Sequence, residues 1–188
     1  MSALTGGFAD APRDAAHAFR AAMGAMARPG TIHEITGARP PAPLSVAAGT
    51  LLLALCDPET PLYLAPGHDT PDLRRWITFH TGAPFVGAQA CCFAIGSWEA
   101  LLPLSEYPIG TPEYPDRAAT LIIEMPELLA RGAALRGPGI RKQAWLNLPG
   151  PASFVANARQ FPLGFDAFLT AGAQVAALPR STQVAEER

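Results

Sequence analysis

Proline and glycine punctuate this chain so densely that no long regular element can form without interruption. There are 20 prolines and 17 glycines in 188 residues. Proline removes a backbone donor and fixes φ, so it stops helices and is excluded from central strands. The sequence therefore predicts short elements joined by many defined turns. The Pro and Gly content stays below the roughly 25–30% that marks low complexity. Residues of the AVILMFWYC set make up 49% of the chain, enough for a packed core. A length of 188 residues fits one domain, 1–188, with frayed ends expected over about 1–9 and 185–188.

Charge and cysteine content exclude several classes. Lys and Arg number 14 against 16 Asp and Glu, a formal net charge of −2. No basic footprint for nucleic acid is present. Three cysteines are too few, and odd in number, for a disulfide scaffold. Free thiols suit a reducing compartment. The longest apolar run, Val46 to Cys56, is broken by Gly49 and Thr50. It falls short of the roughly 20 residues that cross a bilayer and reads as a buried helix. No apolar segment follows the first cation, Arg13, as a secretory signal would require. The expectation is a soluble cytoplasmic protein, with no nucleic acid and no membrane among its partners.

Local chemistry marks the elements. Asp10-Ala11-Pro12 starts a helix that runs to about Arg28. Phe19, Ala22, Met23 and Met26 follow helical spacing and predict its apolar stripe. Ser45 caps a second helix through Leu55, and Thr70-Pro71-Asp72 starts a third that Gly82-Ala83-Pro84 stops. Pro61 to Ala65 predicts a short strand. Ala90 to Ile95 and Ala119 to Met125 are continuous apolar runs, predicting strands buried on both faces. Ala133 to Arg136 predicts another strand, and Ser153 to Phe161 a helix stopped by Pro162. Phe165 to Thr170 and Gln174 to Leu178 flank Ala171-Gly172-Ala173 and predict a hairpin. Early alternation of helices and buried strands, with a late hairpin, gives an α/β fold: a mixed sheet flanked by helices.

Motifs with chemistry are sparse. Cys91 and Cys92 are adjacent, so in a strand they point to opposite faces and cannot chelate one ion. His17, His33, His68 and His80 show no metal-ligand spacing. His80 continues the Leu73, Trp76, Ile77 stripe and is expected to be mostly buried and hydrogen-bonded. Arg13, His17 and Arg20 share a helix face that is by default solvated. The strongest anion-site candidate is Leu135 to Lys142. There Gly137 and Gly139 would let backbone N–H groups approach a phosphate, and Arg141 and Lys142 would add charge. Pro138 removes one donor, and a plain Gly-Pro turn with surface cations is the competing reading. The phosphate-binding patterns G-x-x-x-x-G-K-[ST] and G-x-G-x-x-G and the nucleophile elbow G-x-S-x-G do not occur. Lys142 is the only lysine, so a Schiff-base mechanism has one candidate. No catalytic residue and no metal ligand are assigned.

Several segments in order resemble the PhnH family, a subunit of the bacterial carbon–phosphorus lyase system. They are Phe19-Arg20 through Met23, and Met26-Ala27-Arg28-Pro29-Gly30, then Phe79-His80-Thr81-Gly82-Ala83-Pro84, then Gly110-Thr111 with Tyr114-Pro115 leading to Ala119-Thr120-Leu121. Leu135 with Gly137-Pro138-Gly139-Ile140 follows, then Asn157 with Phe161-Pro162-Leu163-Gly164-Phe165-Asp166, and last Ala177-Leu178-Pro179-Arg180-Ser181-Thr182. Asp116 stands where the family pattern has Glu, which keeps the charge. The resemblance covers about residues 8–184.

The resemblance implies a fold like that of pyridoxal phosphate-dependent transferases, used without the cofactor. It implies a role with partner subunits that transfer the ribose 5-triphosphate of ATP to an alkylphosphonate, releasing adenine. A separate radical SAM, iron–sulfur subunit later breaks the C–P bond. Arg28, His80, Asp166 and Arg180 lie in the matching segments and are expected to be structural. No cofactor is expected, and no adenine release by the isolated chain. Family members pair as homodimers when isolated, and the hairpin, as a sheet edge, is the expected interface. Two classes stay open. One is a non-catalytic subunit of the lyase core complex; the other is a stand-alone phosphate- or cofactor-binding enzyme using loop 137–142.

Overall fold

A computed structural model describes residues 5–185. The helices are α1 (Ala11–Ala27), α2 (Val46–Leu55), α3 (Pro71–Thr81) and α4 (Pro151–Ala158). The strands are β1 (His33–Glu34), β2 (Leu62–Leu64), β3 (Phe93–Ser97), β4 (Thr120–Glu124), β5 (Ala133–Arg136), β6 (Ala144–Leu146), β7 (Asp166–Ala171), β8 (Gln174–Leu178) and β9 (Gln183–Ala185). Predicted caps do start the first three helices. The Asp10 carboxylate accepts from Arg13 N–H, Ser45 Oγ from Ala48 N–H and Thr70 Oγ1 from Leu73 N–H. Gly82 ends α3 at φ 70°, a left-handed position where a side chain is disfavoured.

Six strands form the main sheet in the order β1-β8-β7-β4-β3-β2. β2, β3, β4 and β7 run parallel, and β8 and β1 are antiparallel additions. Both faces are covered, which explains the continuous apolar runs. Alternation along β4 divides the core. Ile122 faces the layer of α1, α2 and α3, with Leu51, Leu52, Trp76 and Ile77. Leu121 and Ile123 face the other layer, with Leu135, Leu146, Phe154 and Trp98. That second layer includes a small antiparallel sheet, β6-β5-β9, which the sequence reading does not anticipate.

Four expectations are corrected. The hairpin β7–β8 is not a free edge: β7 is paired on both sides, and β8 is flanked by β1 and crossed by α1. On α1 the buried residues are Ala18, Ala22 and Ala25, whereas Phe19 and Met23 are 48% and 52% exposed. Small residues let α1 lie close to its neighbours; of the predicted stripe Ala22 is buried and Met26 packs half-buried against the core, while Phe19 and Met23 fall outside. Cys91 and Cys92 precede β3, which begins at Phe93; Cys91 is buried and Cys92 exposed. α4 begins at Pro151, which is tolerated in a first turn, and ends at Ala158.

The expected frayed ends are partly fastened. Trp76 Nε1 donates to the Thr5 carbonyl at 3.0 Å, and Arg39 N–H to the Gly6 carbonyl at 2.7 Å. Ala185 pairs with Ala134 in β9. Residues 1–4 and 186–188 lie outside the described residues. Among the described residues no helix is long and apolar enough to cross a membrane.

Candidate functional site

In open α/β sheets, ligands sit in the crevice beyond the carboxyl ends of the parallel strands. Here that crevice is a cleft of about 500 Å³. Its walls come from each strand end in turn: His68 after β2, Ser97 closing β3, Glu124 closing β4 and Gly172 after β7. Trp98 and Met125 add apolar surface, and prolines 43, 126 and 149 also line it. Its volume falls within the roughly 300–1,000 Å³ of small-molecule sites.

Glu124 is the best-anchored polar group there. Oε1 accepts the Ser45 N–H at 2.7 Å, at the start of α2, and Oε2 accepts the Thr170 hydroxyl at 3.0 Å. His68 is buried, at 8% exposure, in the turn after β2. Its Nδ1 is buried with no hydrogen-bond partner among the described residues. Burial holds the imidazole below its usual pKa, against the opposing pull of the Glu124 charge. At neutral pH His68 is therefore an uncharged ring with one donor and one acceptor. Trp98 is fixed by stacking on Phe154, with centroids 5.4 Å apart.

The sequence reading assigns none of these residues to a site. One signal was available: Glu124 is a lone carboxylate ending an apolar run that reads as a parallel strand. His68, four residues beyond Leu64, had only the same topological cue.

The residues singled out in the sequence lie elsewhere. Gly137 and Gly139 sit after β5 with φ of 130° and 80°. A Cβ on Gly139 would lie 2.0 Å from the Ala27 carbonyl oxygen, and one on Gly137 3.2 Å from that of Ser181. Close backbone approach therefore accounts for both glycines. Arg141 and Lys142 are exposed in the following bend, and the cleft lining contains no lysine to form an aldimine. Arg28 is the exposed C-cap of α1, and its carbonyl accepts from Thr31 N–H and Oγ1.

His80 is half-buried rather than mostly buried. The N-terminal segment covers it only in part, with a hydrogen bond from the ring to the Thr5 backbone and Gly7 against the ring. Trp76 and Phe79 flank it at 5.0 and 4.9 Å. Asp166 and Arg180 are brought together as an ion pair at 2.6 Å. The Arg13, His17 and Arg20 face is solvent-exposed. Burial pushes the Cys56 and Cys91 thiols up to about 12, so both are inert core groups. Among the described residues no group of three or more His, Cys, Asp or Glu is placed to hold a metal ion.

Comparison with known proteins supplies a relationship that the geometry leaves open. The family model of the bacterial phosphonate metabolism protein (PhnH) matches residues 6–185. The chain is 40% identical to the alpha-D-ribose 1-methylphosphonate 5-triphosphate synthase subunit PhnH of Rhizobium meliloti (strain 1021), covering 97% of this chain and 96% of that protein. It is 30% identical to a Stutzerimonas stutzeri protein named "Putative C-P lyase subunit protein HtxG", over 89% of this chain and 84% of that one. With a match across nearly every described residue, the chain belongs to the PhnH family.

Proposed function

We propose that this chain is a PhnH subunit of a carbon–phosphorus lyase system. In this reading it works with partner subunits in the transfer of ribose 5-triphosphate from ATP to an alkylphosphonate, with release of adenine. The observation that carries the reading is the end-to-end match, at 40% identity, to a subunit of alpha-D-ribose 1-methylphosphonate 5-triphosphate synthase. The role is organisational, in the cytoplasm and without a cofactor of its own. The mixed sheet with helices on its faces is compatible with the proposed likeness to pyridoxal phosphate-dependent transferases.

Self-association as a homodimer belongs to the same proposal. Phe19 and Met23, one helical turn apart on α1, offer an exposed apolar pair for it. Phe19→Glu is expected to shift the isolated chain to monomer in light scattering, and Gln174→Glu at the start of β8 to leave the dimer intact. Monomer at high concentration without any substitution overturns the dimer.

The test of function is replacement. The chain is expressed in a phosphonate-using bacterium that lacks its own PhnH-family gene, with methylphosphonate as sole phosphorus source. Restored growth, with co-elution of the chain and the other lyase subunits, is the expected result. Expression without growth and without co-elution rejects the assignment.

A further inference from the structure

The cleft beyond the strand ends carries a charge pattern opposite to that of a phosphate site. Among the described residues two carboxylates, Glu99 and Glu124, line it, and neither Lys nor Arg does. The start of α2 faces this region, and a helix N-terminus is where phosphate groups bind in many α/β proteins. Three of its donors are already committed. Ser45 N–H goes to Glu124, Ala47 N–H to the Gly172 carbonyl at 2.8 Å, and Ala48 N–H to Ser45 Oγ. Glu124 thus occupies the anion position from within the chain.

We infer that this cleft binds a small organic cation, a ligand carrying an ammonium or guanidinium group, and rejects phosphate. A carboxylate has about four acceptor sites, so Glu124 keeps capacity for a ligand donor after its contacts with Ser45 and Thr170. Its fixed orientation reduces the ordering cost of binding. Glu99 is exposed and supplies a second acceptor from the other wall. The independent sign of a ligand is His68: it lines the cleft, is more than nine-tenths buried, and its Nδ1 has no hydrogen-bond partner among the described residues. Buried polar groups are nearly always satisfied, so an unpartnered imidazole nitrogen on a residue of the cleft wall marks a contact to be completed. The neighbouring Trp98 and Met125 surface suits the hydrocarbon part of such a ligand.

The test uses the isolated full chain, so its outcome is separate from that of the growth assay. The ring signals of His68, assigned with His68→Gln, are followed by NMR at pH 7.5 while methylguanidinium, n-butylammonium, inorganic phosphate or pyrophosphate is added. Saturable shifts with at least one cation, and none with either anion, are expected. Glu124→Gln should weaken cation binding by about tenfold or more, the scale of one charge-assisted hydrogen bond. Glu99→Gln is at an exposed position and leaves the fold intact; it should weaken binding about threefold. Should Glu124→Gln fail to fold, Glu99→Gln decides. Saturable binding of phosphate or pyrophosphate at His68 overturns the inference. So does the absence of a saturable response to both cations, or cation binding that is unchanged in the folded Glu variants.

Discussion

Arg180 holds Asp166 through three hydrogen bonds: its backbone N–H to Oδ1 at 2.8 Å, Nε to Oδ1 at 3.1 Å and Nη2 to Oδ2 at 2.6 Å. Its Nη1 reaches on to the Pro115 carbonyl at 2.5 Å. One side chain thereby fastens the start of β7, the chain leaving β8 and the turn before β4. The two side chains are 13% and 24% exposed, so solvent screens the pair only weakly.

Breaking this pair should be costly because it strands a partly buried charge. Asp166→Ala is expected to lose about 3 kcal/mol, the lower part of the range for a disrupted buried pair. Arg180→Lys should recover little, since an ammonium cannot reproduce the planar fork. Urea denaturation checks both. A loss well below 1 kcal/mol for Asp166→Ala would place the pair with ordinary surface bridges.

Helix α1 makes an inverted prediction about size. Ala22 is 2% exposed against the sheet layer, and Phe19 is half in solvent. Ala22→Leu should destabilise by about 1–3 kcal/mol through overpacking. Phe19→Ala should stay within about 0.5 kcal/mol when measured on the dilute, monomeric chain, as exposed substitutions usually do. Thermal unfolding of the two variants distinguishes this arrangement from one in which the large side chains form the core.

That helix also shows what a sequence can and cannot reveal. Asp10, Ser45, Thr70 and Gly82 act on backbone groups within a few residues, so their capping roles are legible. The buried face of α1 is not, because hydrophobic periodicity favours Phe and Met over Ala. The place of the hairpin within the sheet depends on β7 pairing with β4, a long-range choice that composition does not encode. The small sheet joins Arg136 to Gln183 for the same reason. The cleft was the least legible feature. Ser45 and Glu124 meet across 79 positions, and His68 joins them only through the parallel strand order.

Two histidines should make the fold sensitive to acid. His68 and His80 are both held below the ordinary 6.5, mainly by burial. Between the unfolded value and the lower folded value, the unfolded chain binds more protons. Stability is therefore full above about pH 6.5 and falls as pH drops through 6.5 toward the folded values. Below those values this contribution levels off. His68→Gln and His80→Gln should each flatten the fall in denaturation free energy between about pH 7 and 5. Ring signals that titrate above 6.5 in the native chain would contradict the sign.

Gly139 separates a structural turn from a phosphate cradle. It adopts φ 80°, and its α-carbon faces the Ala27 carbonyl at the end of α1 so closely that a Cβ would lie 2.0 Å from that oxygen. Gly139→Ala adds both a left-handed strain and a backbone clash, and should cost about 1–3 kcal/mol with no ligand present. The exposed neighbours Arg141 and Lys142 make a control. Arg141→Ala with Lys142→Ala should leave stability within about 0.5 kcal/mol. If the loop served anion binding, the double variant would lose phosphate-dependent stabilisation that the wild-type chain displays, and Gly139→Ala would be mild in phosphate-free buffer. A structural turn gives the reverse: Gly139→Ala unfolds early in every buffer, and the wild type and the double variant respond alike to added phosphate.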